Sequence, residues 1–351
     1  MKKLKKTTVQ DFITYAGVIL IYIIVSVMMS KGMISRSLKG QLVPICCYIV
    51  MAVSLNLTVG ILGELSLGHA GFMSVGAFSG IVAAMCLQRV VANPALCLIA
   101  ALFTGAVFAA IVGALIGIPV LRLKGDYLAI VTLAFGEIIK ELVNCLIVGV
   151  DDEGLHIIFN VTGAKSAADL NLAEGGRVLI KGAQGATGTA TIANFTAGFI
   201  LIMITLIIVL NLIRSRSGRA IMALRDNRIA AESIGINVTA YKMMAFVTSA
   251  ALAGSAGALY GLNFSNLAAT KFDFNTSILV LVFVVLGGLG NIRGSIIAAA
   301  VLTILPEALR GFSDYRMLIY AIILIVVMLG TNNAQLKSLL TKLVPKSNKG
   351  E

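Results

Sequence analysis

The sequence predicts an all-α polytopic membrane protein, with about ten transmembrane helices in a single domain that covers residues 1–351. The first observation is composition: 58% of the 351 residues are hydrophobic and 13% are charged, whereas about a quarter of the residues in a soluble domain are charged. The second is that the apolar residues form blocks of about twenty, the length that a helix needs to cross the hydrocarbon core. The third is that the basic residues collect between these blocks.

Ten apolar blocks are predicted to cross the membrane as helices. They lie at residues 12–29, 41–61, 70–87, 95–120, 127–149, 195–213, 243–262, 274–291, 295–309 and 316–331. The first block follows a basic start that resembles a signal peptide. Because this block is long, has no small-residue cleavage site and precedes further spans, we expect it to be retained as a helix.

The distribution of Lys and Arg predicts the orientation. If the N-terminus is inside, the cytoplasmic segments carry 17 of these residues and the external segments carry ten. Cytoplasmic loops are enriched in Lys and Arg, so both termini are expected in the cytoplasm. The net charge of +12 is then explained by contact with anionic membrane lipids, and we expect no nucleic-acid partner.

Two hydrophilic segments are long enough to have functions of their own. Residues 150–194 are rich in Gly, Ala and Thr, and either a small external cap or a plain external connector fits them. Residues 214–242 are cytoplasmic in this orientation, and an amphipathic helix is predicted over 218–231, with Gly235 ending it. Such a helix can lie on the bilayer or dock in a partner's groove, and an ordinary basic loop is the alternative. The sequence AAESIG at residues 230–235, in which small residues end a helix at a defined glycine, favours docking.

Four motifs carry a resemblance to a known family. They are SGRAIMALRDNRIAAESIGINVTAYK, GELSLGHAGF, LRLKGDYLAIVTLAFGEI and LGGLGNIRGSIIAA. In this respect the chain resembles the permease subunits of branched-chain amino acid ABC importers, LivM type. The motifs follow the family's order, and the likeness reaches from about residue 45 to residue 330.

The resemblance implies an importer subunit in the bacterial cytoplasmic (inner) membrane. Its expected partners are two cytoplasmic ATP-binding subunits, a second homologous permease, an external substrate-binding protein and an amino-acid cargo, which would be Leu, Ile or Val. The alternatives are a permease of the same family for urea, short amides or another amino acid, or an ion-coupled secondary transporter.

The resemblance also implies that residues 214–242 couple the permease to the ATPase subunits. The general importer motif has Glu-Ala-Ala followed after three residues by Gly, whereas this chain has Ala-Ala-Glu-Ser-Ile-Gly. The residues expected to mediate coupling are Arg225, Asp226, Ala231, Glu232 and Gly235.

GELSLGHAGF places ionisable residues among glycines between two apolar blocks. The glycines can allow close helix packing, or they can break a helix beside a translocation pathway. Glu64 is expected either to meet the ammonium of a cargo or to lie among the headgroups, and His69 is either a packing residue or a ligand. The pathway candidates in this motif are Gly63, Glu64, Gly68, His69 and Gly71.

Glu137 is a further pathway candidate, in the middle of the fifth block. Glu137, Lys140 and Glu141 lie at i, i+3 and i+4, so they share one helix face. A charge at the centre of the membrane is costly and normally pairs or faces water. Glu137 is therefore expected either to pair with Lys140 or to line the pathway.

We expect no enzymatic activity, cofactor or metal. The chain has no GxxxxGK[ST] motif, so ATP hydrolysis is expected in the partner subunits. Ser66 and His69 stand three residues apart without the nucleophile-elbow pattern Gly-x-Ser-x-Gly. The five cysteines lie inside apolar blocks without metal-ligand spacing.

Overall fold

A computed structural model describes residues 2–91, 93–123, 125–151, 154–160, 167–170, 172 and 176–309, together with 318, 321, 322 and 325. Residues 1–300 form one compact unit and residues 301–351 form a second. Most of the predicted tenth block (316–331) and the basic tail lie outside the described residues.

The described chain is mainly helical. The helices are α1 (Lys2–Ser30), α2 (Arg36–Asn56), α3 (His69–Gln88), α4 (Pro94–Val120), α5 (Asp126–Asn144), α6 (Phe195–Arg214), α7 (Arg216–Asp226), α8 (Arg228–Ser233), α9 (Val238–Gly261), α10 (Phe274–Gly287) and α11 (Ile292–Ala308). A π-helix, the π-segment (Leu57–Leu62), continues α2, and short 3₁₀ turns lie at Ala167–Leu170, Gly182–Gln184 and Ala269–Phe272.

Six helices in the described part of the chain are long and apolar enough to cross a membrane. They are Asp11–Ser30, Arg36–Leu62, His69–Gln88, Pro94–Val120, Phe195–Arg214 and Val238–Gly261. Each coincides with a predicted block. The predicted block 127–149 differs: its helix, α5, ends at Asn144 and carries several charges, and the remaining residues form a strand. The block 274–291 contains the 14-residue helix α10.

Helices α3, α4 and α9 pack most closely against one another. Glycines permit this approach, as expected for helix contacts within a bilayer. A Cβ atom at Gly105 would lie 3.0 Å from the carbonyl oxygens of both Gly76 and Gly254. Any larger residue at Gly105 would therefore force α4 away from both neighbouring helices.

A small antiparallel sheet, the cap sheet, adds to the predicted helices. Its strands are β1 (Leu146–Val150), β2 (Leu155–Phe159), β3 (Arg177–Lys181), β4 (Ala186–Thr187) and β5 (Asn266–Leu267), in the order β2-β1-β3-β4-β5. Strand β5 comes from the connection between α9 and α10, so the sheet joins two connections that the charge distribution puts on the same side. The segment 150–194 thus contributes three complete strands.

The docking segment (residues 214–242) forms α7, α8 and the start of α9. Each of these helices begins with a side chain that caps a free backbone N–H group. Ser215 accepts from Gly218 N at 3.0 Å, and Asn227 and Asn237 cap α8 and α9 in the same way. These caps fix where each helix starts and therefore how α7 and α8 are oriented.

Candidate functional site

The helix that contains α2 is broken inside GELSLGHAGF. The π-segment ends at Gly63, whose φ of +82° is a left-handed conformation that favours glycine. Residues 63–68, the break, form no helix, and α3 begins at His69. The glycine-rich motif is therefore an interruption between two helices.

Two other glycines of this motif pack against α5. At Gly68 a Cβ atom would collide with the carbonyl group of Thr132, and at Gly71 it would lie 3.0 Å from the Cα atom of Gly136. Both positions bring backbones into contact, which is the packing role that small residues have between membrane helices. A pathway role for either glycine has to be compatible with this close contact.

His69 is buried with a hydrogen-bond partner. Its Nε2 atom lies 2.8 Å from the Ser54 hydroxyl on α2, and its ring meets Phe72 edge-on. The Ser54 hydroxyl donates to the Met51 carbonyl oxygen at 2.9 Å, so His69 Nε2 is assigned as the donor to Ser54. In this arrangement His69 is a satisfied packing residue.

Glu64 forms an ion pair with Lys242, a residue that lies 178 positions later in the chain, at the start of α9. Only 7% of the Lys242 side chain and 17% of the Glu64 side chain are exposed. The pair ties the break to the docking segment. Lys242 is not among the residues predicted from the sequence. Its position just inside an apolar helix is a signal in the sequence, because a charge there needs a partner.

Glu137 lines a narrow crevice between α3, α5 and α10. It pairs with Lys140, and its second carboxylate oxygen accepts a hydrogen bond from Phe274 N at 3.2 Å. Gly71 and Ser277 also line this crevice. Two predicted pathway residues, Gly71 and Glu137, therefore come together, and the pairing with Lys140 is present as well.

The start of α3, next to this crevice, already has hydrogen-bond partners for its backbone. Leu67 N donates to the Thr132 hydroxyl at 3.0 Å, and Ala70 N donates to the Ser277 hydroxyl at 3.2 Å. These bonds bring α5 and α10 to the first turn of α3. An anionic ligand at this helix end would have to displace them.

The docking segment differs from the single helix predicted over its first part. Asn227 is extended and interrupts the helix between α7 and α8. Ile221 and Leu224 are buried, whereas Ile229, which also lies within the predicted amphipathic helix over 218–231, is 80% exposed. Ile229 and Ile234, the latter 75% exposed, are therefore left uncovered by the described part of the chain.

Arg225 faces the permease. Its Nη1 atom donates to the Gly60 carbonyl oxygen in the π-segment at 2.9 Å, while Nε and Nη2 donate to Asp226 Oδ1 at 3.3 and 3.1 Å. The aliphatic part of Arg225 covers Gly63, where a Cβ atom would lie 2.6 Å from Arg225 Cγ. Both predicted coupling residues here are exposed, the Arg225 side chain to 40% and the Asp226 side chain to 70%.

The other predicted coupling residues lie on or just after α8. Ala231 is buried in a small cluster between α7 and the start of α9. Glu232 is exposed and pairs with Arg228 one turn earlier, at 3.0 Å. Gly235 ends the helix with a φ of +85° and open space around it, which fits the conformational role of a helix C-terminal glycine.

Comparison with known proteins identifies the family. Residues 38–328 match the family model described as "Branched-chain amino acid transport system / permease component". The high-affinity branched-chain amino acid transport system permease protein LivM of Salmonella typhimurium is 33% identical over 92% of this chain and 74% of its own length. LivM of Escherichia coli K12 is 33% identical over 85% of this chain and 69% of its length, and LivH of the same strain is 23% identical over 80% and 88%.

No solved structure gives a significant match. The family model covers more than half of the chain, and the apolar helices agree with a multi-pass protein of the bacterial inner membrane. This chain therefore belongs to the family of permease components of branched-chain amino acid transport systems.

Proposed function

We propose that this chain is a membrane-spanning permease subunit of an ATP-driven importer for the branched-chain amino acids Leu, Ile and Val. The geometry of the docking segment carries the proposal: α7 buries one face on the permease, and Ile229 in α8 and Ile234 just after it are exposed. An exposed apolar side chain on a short capped helix suits insertion into a partner's hydrophobic groove. The cargo class is taken from the relatives' printed names.

The partners follow from the energy source. This chain carries no nucleotide-binding GxxxxGK[ST] motif, so two cytoplasmic ATP-binding subunits would hydrolyse ATP. A second, homologous permease would complete the membrane domain, and the similarity to LivH as well as LivM supports such a pairing. An external binding protein would deliver the amino acid.

The proposed topology has ten crossings, with both termini in the cytoplasm. The docking segment, the end of the π-segment and the break would lie on the cytoplasmic side, which is supported by the contacts of Arg225 with Gly60 and of Lys242 with Glu64. The cap sheet would be external. Its support is the pairing of β4 with β5, because this joins two connections that the charge distribution puts outside.

The six pathway candidates would act in two groups. The first group would shape the break and consists of Gly63, Glu64, Gly68 and His69. The second group would line the crevice and consists of Gly71 and Glu137. The grouping is supported by the ion pair of Glu64 with Lys242 in the docking segment and by the hydrogen bond that Glu137 accepts from Phe274 N at the start of α10.

Uptake by the reconstituted complex tests the proposed function. Liposomes that contain this chain, its partner permease and the ATPase subunits would be given the binding protein and labelled leucine or valine. We expect accumulation that requires ATP and that unlabelled isoleucine competes, whereas urea does not. Sustained accumulation without ATP but with a proton gradient would instead indicate a secondary transporter, and competition by urea would indicate a different cargo.

A further inference from the structure

We propose that Arg225 is a positioning residue that ties α7 to the broken end of α2, so that movement of the docking segment is transmitted into the membrane domain. This inference rests on the proposed function. It differs from the sequence-based expectation that Arg225 itself meets the ATPase subunit. The path that it implies runs from Arg225 through the π-segment to the turn between α10 and α11.

The first step of the path is apolar. Ile221 of α7 is completely buried against Leu57, Ile61 and Leu62, so α7 is seated directly on the π-segment. Packed side chains resist compression, and a displacement of one is passed to the other. Apolar contact alone, however, allows one helix to slide along the other.

Arg225 supplies the directional bond that such a contact lacks. Gly60 is among the last residues of the π-segment, where carbonyl groups have no partner within the helix. The Arg225 guanidinium donates to this carbonyl, and its stem lies over Gly63. A π-helix is rare and frequently marks a functional position, and here it presents the accepting carbonyl to α7.

Asn56, the residue before the π-segment, connects this segment to the turn between α10 and α11. Its Oδ1 atom accepts from Gly290 N at 2.8 Å, and its Nδ2 atom donates to the Ser295 hydroxyl at 2.9 Å. Asn56 is fully buried, so both bonds are shielded from competing water. Asn56 and Gly60 are one helical turn apart, which makes a short path from Arg225 to the turn between α10 and α11.

Arg225 also reaches outward. Its other nitrogens hold Asp226, whose side chain is 70% exposed, at the end of α7 next to the exposed isoleucine of α8. One planar guanidinium with five donors can thus bind the docking side and the membrane side together. Lysine offers a single flexible ammonium group and cannot reproduce this fork.

The test measures coupling separately from assembly. The complete complex would be purified and reconstituted with Arg225→Met, which retains much of the aliphatic stem, and with Arg225→Lys. The readouts are the amount of ATPase subunit retained, the rate of ATP hydrolysis, and the number of cargo molecules taken up per ATP. Arg219→Met is the matched control, because Arg219 lies on the same helix and donates to the Arg214 carbonyl oxygen near its start.

For Arg225→Met we expect wild-type retention of ATPase subunits and a fall of about tenfold in cargo per ATP, the factor that corresponds to one lost hydrogen bond from a charged donor. Arg225→Lys should give an intermediate ratio, and Arg219→Met a wild-type ratio. A merely structural role would lower the amount of complex but not the ratio per assembled complex. If the Arg225→Met variant forms no complex, the number of cargo molecules per ATP measured for Arg225→Lys tests the inference instead.

Two results would overturn the inference. A wild-type ratio in Arg225→Met, or in Arg225→Lys when that variant decides, would show that the tie is not needed. Specific loss of ATPase subunits from a correctly inserted Arg225→Lys complex would make Arg225 a docking residue. Failure of the proposed function is distinguishable, because the wild-type complex would then show no uptake driven by ATP.

Discussion

Gly63 stands where the π-segment ends, and two separate constraints act on it. Its φ of +82° disfavours any residue with a Cβ atom, and the stem of Arg225 occupies the space that this atom would need. Gly235 has a similar φ of +85° but nothing within 4 Å. The two glycines thus form a matched pair that differs in crowding.

Alanine substitutions at this pair separate strain from crowding. Gly235→Ala should lower the free energy of unfolding by about 1–2 kcal/mol, the cost of a left-handed residue. Gly63→Ala should lower it further, since Arg225 must also move. Thermal unfolding of the two purified variants in the same detergent measures the difference. Equal losses of stability would contradict the contact between Arg225 and Gly63.

Residue types in this region could be predicted better than their partners. The motif around Glu64 predicted either close helix packing or a broken helix, and in the structure Gly63 ends the π-segment while Gly68 and Gly71 contact α5 closely. Glu64 forms an ion pair with Lys242, and Asn56 donates a hydrogen bond to Ser295, which lies 239 positions later in the chain. Such pairs depend on how helices are arranged in space, which the hydrophobic periodicity of one helix does not encode.

In the proposed function, the surface of the docking segment decides whether the ATPase subunits assemble with the permease. Ile229 and Ile234 are exposed isoleucines on either end of α8. If these isoleucines enter a hydrophobic groove of an ATPase subunit, an aspartate at either position would lose its hydration in that groove without gaining an ion-pair partner. We expect Ile229→Asp and Ile234→Asp to abolish co-purification of the ATPase subunits while the permease still inserts into the membrane.

A comparable change elsewhere is the control for this prediction. Val90 is 84% exposed and follows α3, outside the docking segment, so Val90→Asp should leave co-purification unchanged. The amount of permease in the membrane fraction has to match among the three variants. Normal ATPase retention by both isoleucine variants would contradict docking through α8.

Two elements show the limits of periodicity. The run LIVGV at 146–150 continues the apolar pattern of α5, and a short apolar run does not distinguish a strand from the end of a buried helix. It forms β1 because it pairs with β2 and β3. Similarly, the apolar spacing in the docking segment predicted one helix, whereas the cap at Asn227 begins a new one.

At the scale of the whole molecule, composition predicted most, while the charge-based orientation stays a prediction. The long apolar blocks coincide with six helices that could span a membrane, because block length is set by bilayer thickness. Two of the blocks that differ have local reasons: α5 carries charges that pair along one face, and α10 is short and begins at the Asp273 cap. The number of crossings remains a prediction.

The orientation of the whole chain can be tested by cysteine labelling. Ile157 in β2 and Ile229 in α8 are both exposed, and the proposed topology puts them on opposite sides of the membrane. In spheroplasts that produce the permease without its ATPase subunits, a membrane-impermeant maleimide should label Ile157→Cys but not Ile229→Cys, and inverted vesicles from the same cells should give the reverse. The unsubstituted chain measures the background from the five native cysteines, of which Cys46, Cys47 and Cys97 are buried. Labelling of Ile229→Cys from the outside would contradict both the charge-based orientation and cytoplasmic docking, because no ATPase subunit could then reach α8.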